Sequence, residues 1–259
     1  RRMIFDSHSH TEFSGDSEMK GKDALKAAAK QGLGLVFTEH LDFDYPGDID
    51  FTFDPVKYWQ QYEPLRDDKL HLGVEVGMQL TTSKRSQAFV KKVPFDMVIG
   101  SLHLLAGQDL YYQDIYAGKD KPSVYHDYYQ SMAENIYQHD FIDVLGHIDY
   151  IARYAPFPNS EVEYGNFADD IDAVLKAVIA TDTVLELNTR RLGDRLALKE
   201  LVPVYKRYYE LGGRFITLGS DAHNISAIGM NFAMAEEFAE FINLQIVTFA
   251  QRKLVSCSK

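Results

Sequence analysis

Histidines and carboxylates gather where short apolar runs of this sequence end. The chain contains nine histidines. Six of them stand at or just after the end of such a run: His8, His10, His40, His103, His147 and His223. Carboxylates accompany them at Asp6, Asp16, Glu75 and Asp221. Because imidazole nitrogens and carboxylate oxygens together bind Zn, Mn and Fe ions, these residues predict a site for divalent metal ions.

The spacing of these groups supports the metal hypothesis. His8 and His10, like Asp221 and His223, are two residues apart, and extended chain points such pairs to the same side. A single histidine at a strand end is commonly a hydrogen-bonded structural group. That interpretation applies to the three remaining histidines, His71, His126 and His139.

The number of candidate ligands predicts the number of ions. Burying about nine uncompensated ionisable groups would exceed a domain's stability of roughly 5–15 kcal/mol, and bound cations remove this conflict. Since each ion takes about three or four protein ligands, three ions account for the candidates if one carboxylate bridges.

The elements that must position these groups alternate along the chain. Predicted strands cover residues 3–6, 33–38, 72–76, 95–102, 143–146, 184–187 and 215–219. Predicted helices cover residues 23–31, 55–66, 83–92, 124–139, 167–180, 203–211 and 233–241. This alternation is typical of parallel βα units and predicts one α/β domain over residues 1–259. In a parallel barrel the C-terminal strand ends share one face, where barrel enzymes build their sites.

Charge and composition exclude several classes of function. Lys and Arg number 27 against 38 Asp and Glu, a net charge of −11, which argues against binding nucleic acid or an anionic membrane. The sequence has neither an apolar run long enough to span a membrane nor a secretory signal pattern, so we expect a cytoplasmic protein. Cys257 is the only cysteine, which excludes an intrachain disulfide. Homo-oligomerisation is compatible with this composition, which does not decide it.

Six short motifs resemble those of the polymerase-and-histidinol-phosphatase (PHP) superfamily. They are Asp-Ser-His-Ser-His-Thr at 6–11 with Ser14 and Asp16, Thr-Glu-His at 38–40, Gly-Val-Glu at 73–75, Ser-Leu-His at 101–103, Gly-His at 146–147 and Ser-Asp-Ala-His at 220–223. They occur in the family's order across essentially the whole chain. The resemblance implies a distorted (β/α)7 barrel of parallel, TIM-like strands with a trinuclear metal site.

The resemblance also implies a ligand set for each ion. By the family pattern, the first ion would bind His8, His10, Glu75 and Asp221; Glu75 would bridge to a second ion with His103 and His147; and Asp16, His40 and His223 would bind the third. Family members carry His or Asp at the position of Asp16, and Zn, Mn and Fe all suit this ligand set. Asp6 is interpreted either as an acceptor for a histidine N–H or as a buried structural carboxylate. Glu39 should point away from the ligands.

Three dications and three carboxylates leave a positive surplus that suits a phosphate dianion. A metal-bound hydroxide would attack phosphorus, and either Asp221 or His223 would supply the catalytic proton for the leaving alkoxide. Without a Gly-x-Ser-x-Gly motif or a cysteine in any motif, a covalent serine or cysteine mechanism is disfavoured.

Arginines, tyrosines and acids near the strand ends are candidate substrate contacts. Arg153, Arg190 and Arg191 could bind phosphate oxygens, the alternative being surface ion pairs. Six tyrosines could line the pocket or pack a helix on the barrel: Tyr111, Tyr112, Tyr116, Tyr125, Tyr128 and Tyr129. Packing is favoured for Tyr125, Tyr128 and Tyr129. Asp42, Asp44 and Glu12 are candidate acceptors for a cationic substrate, although each could be an ordinary solvated loop acid.

The length of the chain, its long fourth loop and Glu-Leu-Asn-Thr at 186–189 resemble the histidinol-phosphate phosphatase branch of the superfamily. The resemblance implies hydrolysis of L-histidinol phosphate to L-histidinol and phosphate in histidine biosynthesis. One alternative is a phosphoesterase of the same superfamily acting on nucleotides or other small phosphate esters. Another is a metal-binding module without catalytic activity.

Overall fold

The computed structural model describes residues 3–257, which form eleven strands and seven α-helices. The strands are β1 (Phe5–Asp6), β2 (Gly34–Leu41), β3 (Leu70–Gly77), β4 (Met97–Ser101), β5 (Leu104–Leu105), β6 (Gln108–Asp109), β7 (Val144–Leu145), β8 (Val184–Asn188), β9 (Phe215–Gly219), β10 (Gln245–Ala250) and β11 (Lys253–Ser256). The helices are α1 (Gly21–Lys30), α2 (Pro55–Tyr62), α3 (Ser83–Val90), α4 (Lys121–Gln138), α5 (Ala168–Ala180), α6 (Arg195–Glu210) and α7 (Phe232–Ile242).

Seven parallel strands form the centre of the molecule. Their order is β1-β2-β3-β4-β7-β8-β9, and every neighbouring pair is parallel. The chain just after β1 meets the end of β9: Ser7 N–H donates to the Leu218 carbonyl at 2.8 Å and Asp221 N–H to the His8 carbonyl at 2.9 Å. These bonds close the sheet into a barrel, so the predicted α/β barrel is confirmed.

The barrel is distorted at the seam between its first and last strands. The start of β9 pairs in parallel with β10, through Phe215 with Gln245 and Ile216 with Ile246. Its end, in contrast, pairs with the residues after β1, where Ser9 and Ala222 form a parallel bridge. Two different strands therefore share one edge of β9.

The predicted helix at 203–211 is too short, because α6 begins at Arg195. The side chain of Asp194 caps this helix by accepting hydrogen bonds from the N–H groups of Leu196 and Ala197. Pro203 therefore lies inside the helix and does not begin it. The loss of one backbone hydrogen bond at Pro203 is offset by the burial of the neighbouring face, including Leu201 and Tyr205.

Two hairpins were not predicted. β5 and β6 pair antiparallel within the long fourth loop, and β10 and β11 pair antiparallel near the end of the chain. Only the apolar stretch at 246–249, now part of β10, hinted at the second of them. Strands of two residues, such as β5 and β6, are too short for an alternating pattern to identify.

The barrel strands are buried throughout, and the helices pack tyrosines against them. All eight residues of β2 and of β3 are buried. Tyr125, Tyr128 and Tyr129 of α4 are fully buried in the core, as the packing interpretation expected. Among residues 3–257 no helix is both long and apolar enough to cross a membrane.

Asp96 connects three distant segments at the end of the barrel opposite the histidines. Its carboxylate accepts hydrogen bonds from Arg66 Nη2 at 2.6 Å, Leu72 N–H at 2.8 Å and Gln251 N–H at 2.9 Å. Burial alone would raise the pKa of Asp96, but the Arg66 guanidinium and these N–H groups hold it below its usual value. We expect Asp96→Ala to lower the free energy of unfolding by about 2–4 kcal/mol, because it leaves two N–H groups and the partly exposed Arg66 guanidinium without their partner.

The matched control is Glu210→Ala, which breaks the solvent-accessible Arg207–Glu210 pair of α6 and should cost at most about 1 kcal/mol. Because the folded-state pKa of Asp96 is lowered, its stabilisation is present near neutral pH and is lost as the pH falls through that pKa. Urea unfolding at neutral and acidic pH measures both effects. Similar losses for the two variants would contradict the role given to Asp96.

Candidate metal centre

All nine predicted ligands lie at one mouth of the barrel. Residues after β1 contribute His8, His10 and Asp16; β2 and β3 contribute His40 and Glu75; and the segments after β4, β7 and β9 contribute His103, His147, Asp221 and His223. A cavity of about 580 Å³ opens directly above them. The short hydrogen-bonded extension after β1 brings its two histidines beside the residues that follow β9.

Glu75 lies at the centre of the group and is fully buried. Its two oxygens lie 3.1–3.4 Å from one ring nitrogen each of His8, His10, His40, His103 and His147. Burial favours the neutral carboxylic acid, but the charges of His8 and His103 outweigh it and hold the pKa of Glu75 well below its usual range. An ionised carboxylate therefore stands between five imidazoles.

Asp221 is a second carboxylate that lies close to the rings of both His8 and His10. Its Oδ1 lies 3.4 Å from His8 Nε2 and 3.2 Å from His10 Nε2, and its Oδ2 accepts a hydrogen bond from Arg153 Nη2 at 2.9 Å. The backbone of Asp221 has a φ of 57°, in the left-handed region that residues other than glycine seldom adopt. Such strain costs of order 1–3 kcal/mol and is typical of functional sites.

The third group lies nearer the solvent. Asp16 Oδ2 is 3.4 Å from His40 Nε2 and 3.1 Å from His223 Nε2, and these two nitrogens are 3.4 Å apart. The His10 ring stacks against both the His40 ring and the His223 ring, with centroids 4.0 and 4.4 Å away. The Asp16 side chain is 32% exposed, so this group opens toward the cavity.

Unpaired buried atoms show that the centre fits several cations. His8 Nε2, His10 Nε2, His40 Nδ1 and Glu75 Oε1 are buried and make no hydrogen bond within residues 3–257. Their ligand atoms form overlapping groups within 4.8 Å: His8, His10, Glu75 and Asp221; Glu75, His103 and His147; His10, His40 and His223; and His40, Asp42 and His103. Because unpaired buried polar atoms are costly, this arrangement is able to hold a multi-metal site.

Hydrogen bonds behind the rings turn four histidines toward the centre. His8 Nδ1 donates to Glu186 Oε2 at 2.6 Å and His103 Nδ1 to Asp42 Oδ1 at 2.7 Å. His223 Nδ1 donates to the Asp221 carbonyl at 2.8 Å, and His10 Nδ1 lies 3.0 Å from the Ser14 hydroxyl. A donor at Nδ1 leaves the Nε2 lone pair free, which is the tautomer a metal ion needs.

Glu186 was not predicted. It is fully buried in β8, and besides His8 it accepts a hydrogen bond from the His147 N–H at 2.9 Å. One carboxylate therefore fixes residues after both β1 and β7. The available signal was a glutamate in the middle of the apolar strand Val-Leu-Glu-Leu-Asn.

Asp6 matches one of its two interpretations, and Glu39 has the orientation expected for it. Asp6 touches no histidine ring, which removes one of its two interpretations: Oδ2 accepts from Ser220 Oγ at 2.5 Å and from Gly229 N–H at 2.9 Å. It is the buried structural carboxylate, tying β1 to the segment after β9. Glu39 points away from the centre, accepts hydrogen bonds from Thr11 and Ser14, and has its pKa raised to about 7 by burial.

The three predicted arginines occupy different environments. Arg153 and Arg190 line the cavity, the former nearly buried and the latter 45% exposed with Nη1 3.9 Å from Asp221 Oδ2. Arg191 does not line it: its guanidinium pairs with Asp149 at 2.9 Å and with Glu161. Because two buried carboxylates occupy its donors, this geometry favours the ion-pair alternative for Arg191.

The predicted acids are likewise divided. Asp42 lines the cavity, but it is buried and its Oδ1 already accepts from His103. Asp44 is exposed and paired with Arg85, the solvated loop acid of the alternative interpretation. Glu12 lies outside the cavity, where its Oε1 accepts hydrogen bonds from Gln61 and Tyr62.

Aromatic residues form much of the cavity wall. Tyr111 and Tyr112 line it, as predicted, whereas Tyr116 is buried with its hydroxyl donating to the Leu110 carbonyl. Sequence patterns missed six further wall residues: Tyr45, Ile49, Phe51, Asp109, Tyr150 and Tyr154. Asp109 holds two of these together, since it accepts hydrogen bonds from the hydroxyls of Tyr45 at 2.5 Å and Tyr150 at 3.1 Å.

The other three histidines lie outside the metal-ligand groups, as expected. His71 stacks on Phe5 with ring centroids 4.6 Å apart, and burial lowers its pKa. His126 pairs with Asp170, and His139 Nδ1 donates to the Asn135 carbonyl at 2.7 Å.

Comparison with known proteins agrees with this geometry. Residues 6–190 match the model of the PHP domain family. The chain is 44% identical to a probable histidinol-phosphatase of Clostridium acetobutylicum, over 96% of this chain and 98% of the relative. It is 30% identical to the histidinol-phosphatase of Lactococcus lactis, over 84% and 83%. It is also similar to the crystal structure of a histidinol phosphate phosphatase from L. lactis complexed with Zn, L-histidinol and phosphate, with a TM-score of 0.90 and 28% identity over 98% of this chain and 99% of that one.

Proposed function

Because the chain belongs to the PHP domain family, we propose that it is a metal-dependent phosphatase that hydrolyses L-histidinol phosphate to L-histidinol and phosphate in histidine biosynthesis. The observation that carries this proposal is the arrangement of five imidazoles around Glu75 on the floor of an arginine-lined cavity. The similar structure from L. lactis holds Zn, L-histidinol and phosphate, which matches the chemistry of this cavity.

We assign three ions to the ligand groups of this centre. His8, His10, Glu75 and Asp221 would hold the first; Glu75, His103 and His147 the second; and Asp16, His40 and His223 the third. When bound, divalent ions supply positive charge to phosphate oxygens and lower the pKa of a water molecule. Mixed imidazole and carboxylate ligands suit Zn, Mn and Fe, and the Zn in the similar structure supports the first of these.

Arg153 is suited to bind the phosphate. Its side chain is nearly buried in the cavity wall, and its Nη2 donates to Asp221 while its Nε makes no hydrogen bond within residues 3–257. A guanidinium held this way keeps donors available for phosphate oxygens at little entropic cost. Arg190, at the exposed rim, adds a second positive charge along the entry path.

Asp221 is the better placed of the two candidates to protonate the leaving alkoxide. His223 donates from Nδ1 to a carbonyl, so once its Nε2 binds an ion the ring has no site left for a transferable proton. Asp221 offers Oδ1 to the ligand group near His8 and keeps Oδ2 toward Arg153 and the cavity. Burial favours the neutral acid, but the charges of His8 and Arg153 hold the pKa of Asp221 well below its usual range, so the carboxylate is ionised and carries no proton of its own. We therefore assign to Asp221 Oδ2 the relay of a proton, which it would take from the attacking water and pass to the leaving alkoxide.

Acidic and phenolic groups of the wall complement the cationic part of the substrate. Asp42 and Asp109 both line the cavity, and three tyrosine hydroxyls stand nearby on Tyr45, Tyr111 and Tyr150. An ammonium and an imidazole find acceptors there, whereas a nucleobase has no positive amine to match them. A nucleotide's additional phosphates would be repelled by the same carboxylates.

A phosphate-release assay with L-histidinol phosphate and a nucleoside monophosphate, each on metal-loaded enzyme, tests this function. We expect kcat/KM to favour histidinol phosphate by at least about a hundredfold, roughly 2.7 kcal/mol of differential transition-state binding. Equal turnover of the nucleotide would overturn the assignment to histidine biosynthesis. Metal-loaded protein that releases phosphate from neither substrate would favour a binding module without catalytic activity.

A further inference from the structure

Gly77 lies directly behind the carboxylate that holds His103. It is the last residue of β3, two positions beyond Glu75. A Cβ atom added to Gly77 would lie 1.8 Å from Asp42 Oδ1 and 2.4 Å from Asp42 Cγ. The Asp42 carboxylate therefore occupies the volume that any other side chain at position 77 would fill.

The backbone conformation gives no separate reason for glycine at this position. Gly77 is not among the residues with positive φ, so an L side chain would cause no backbone strain there. The three atoms nearest to its added Cβ all belong to the Asp42 side chain. Position 77 requires glycine because the Asp42 carboxylate occupies the space that a larger side chain would need.

The surroundings leave the carboxylate little freedom to move aside. The Asp42 N–H donates to the Phe51 carbonyl at 2.8 Å, and on the other side Met78 N–H donates to the Ser101 carbonyl at 2.8 Å, so both backbones are fixed. Asp42 is buried, with Oδ2 3.8 Å from His40 Nδ1. A displaced carboxylate would rotate toward His40 and release the ring of His103.

We propose that Gly77 is a positioning residue for the metal centre, which acts by leaving room for Asp42 to hold His103. This inference rests on the metal centre proposed above. With Asp42 in place, His103 donates from Nδ1 and turns Nε2 to within 3.4 Å of Glu75 Oε2. Without that bond nothing holds the proton on Nδ1 or fixes the direction of Nε2, and the group of Glu75, His103 and His147 loses one of its three fixed ligands.

The test measures Zn²⁺ affinity by competition with a chromophoric chelator, on metal-free protein reloaded with Zn²⁺. We expect Gly77→Ala to weaken the ion held through His103 by about 10–100-fold, and Asp42→Ala to weaken it similarly. The double variant Asp42→Ala/Gly77→Ala should bind no worse than Asp42→Ala alone, because the added methyl then has nothing to displace. Additive losses in the double variant would overturn the proposal, as would unchanged affinity in Gly77→Ala.

Gly34→Ala is the matched control. It also adds a methyl to a barrel strand, but its Cβ would lie 2.6 Å from the Phe5 ring, which stacks on His71 and lies outside the metal-ligand groups. We expect lower thermal stability and unchanged Zn²⁺ affinity. If Gly77→Ala alone does not fold, the double variant should still fold because its clash is removed, and its failure to fold would overturn the proposal. Wild-type protein that binds no Zn²⁺ would instead overturn the metal centre itself.

Discussion

Glu75→Ala should lose both of the ions that share this carboxylate and lower kcat/KM by about 10⁴-fold, roughly 5.5 kcal/mol of transition-state stabilisation. The reason is the central position of Glu75, whose oxygens lie within 3.4 Å of five imidazole nitrogens. Loss of the carboxylate removes a ligand from two ions at once. Elemental analysis of purified protein and steady-state kinetics measure the two effects.

His40→Ala is the comparison that isolates the bridging role of Glu75. His40 belongs to the outer group with Asp16 and His223, so its loss should affect one ion and leave the other two. Glu75→Gln, which keeps the shape of the side chain, separates loss of the ligand from loss of packing. Equal metal content and equal rates in Glu75→Ala and His40→Ala would refute the bridging assignment.

Removal of the metal ions by a chelator should abolish activity, by at least about 10³-fold, and lower the thermal unfolding temperature. Activity should return on addition of Zn, Mn or Fe ions. In the metal-free protein the carboxylates draw protons onto some imidazoles: burial disfavours the charged form of His40, but Asp16 and Glu75 raise its pKa to about 10. In the metal-free protein, protonated imidazoles therefore supply the positive charge that the metal ions would otherwise provide.

Because protons replace the metal ions, the stability of the metal-free protein should depend on pH. Because the folded-state pKa of His40 lies above its unfolded value, protonated His40 stabilises the metal-free fold fully below about pH 6.5, and this contribution is lost as the pH rises toward about 10. A metal ion binds only neutral imidazole, so loading at neutral pH should release protons, and affinity should fall as the pH is lowered.

Calorimetric titration of Zn²⁺ into the metal-free protein, in buffers of different ionisation enthalpy, counts the released protons. His40→Ala is the control and should release fewer. Full activity after complete metal removal, or binding without proton release, would contradict the proposed centre.

Much of the fold was already determined by local sequence patterns. The alternation of short apolar runs with helical segments predicted seven parallel strands, and the structure contains them in that order. The same patterns placed histidines and acids at the strand ends. Since parallel βα units put all C-terminal strand ends on one face, the sequence alone was sufficient to predict that nine residues from six segments would meet there.

The length of α6 and the two hairpins were not determined locally. Pro203 reads as a helix start in the sequence, and only the packing of Leu201 and Tyr205 on the barrel keeps it inside a helix. Propensity is a weak preference of at most a few kcal/mol, and burial of one apolar face outweighs it.

The fine geometry of the centre was decided by tertiary structure alone. Glu186 holds His8 although 178 residues separate them, and Asp42 holds His103 across 61. Arg153 faces the cavity while Arg191, equally promising in sequence, is held by Asp149 and Glu161. The type of a residue and its position in a strand determine whether its side chain lies at the mouth of the barrel. Its hydrogen-bond partner depends on ångström-scale distances between segments remote in sequence, which exist only once the barrel has closed.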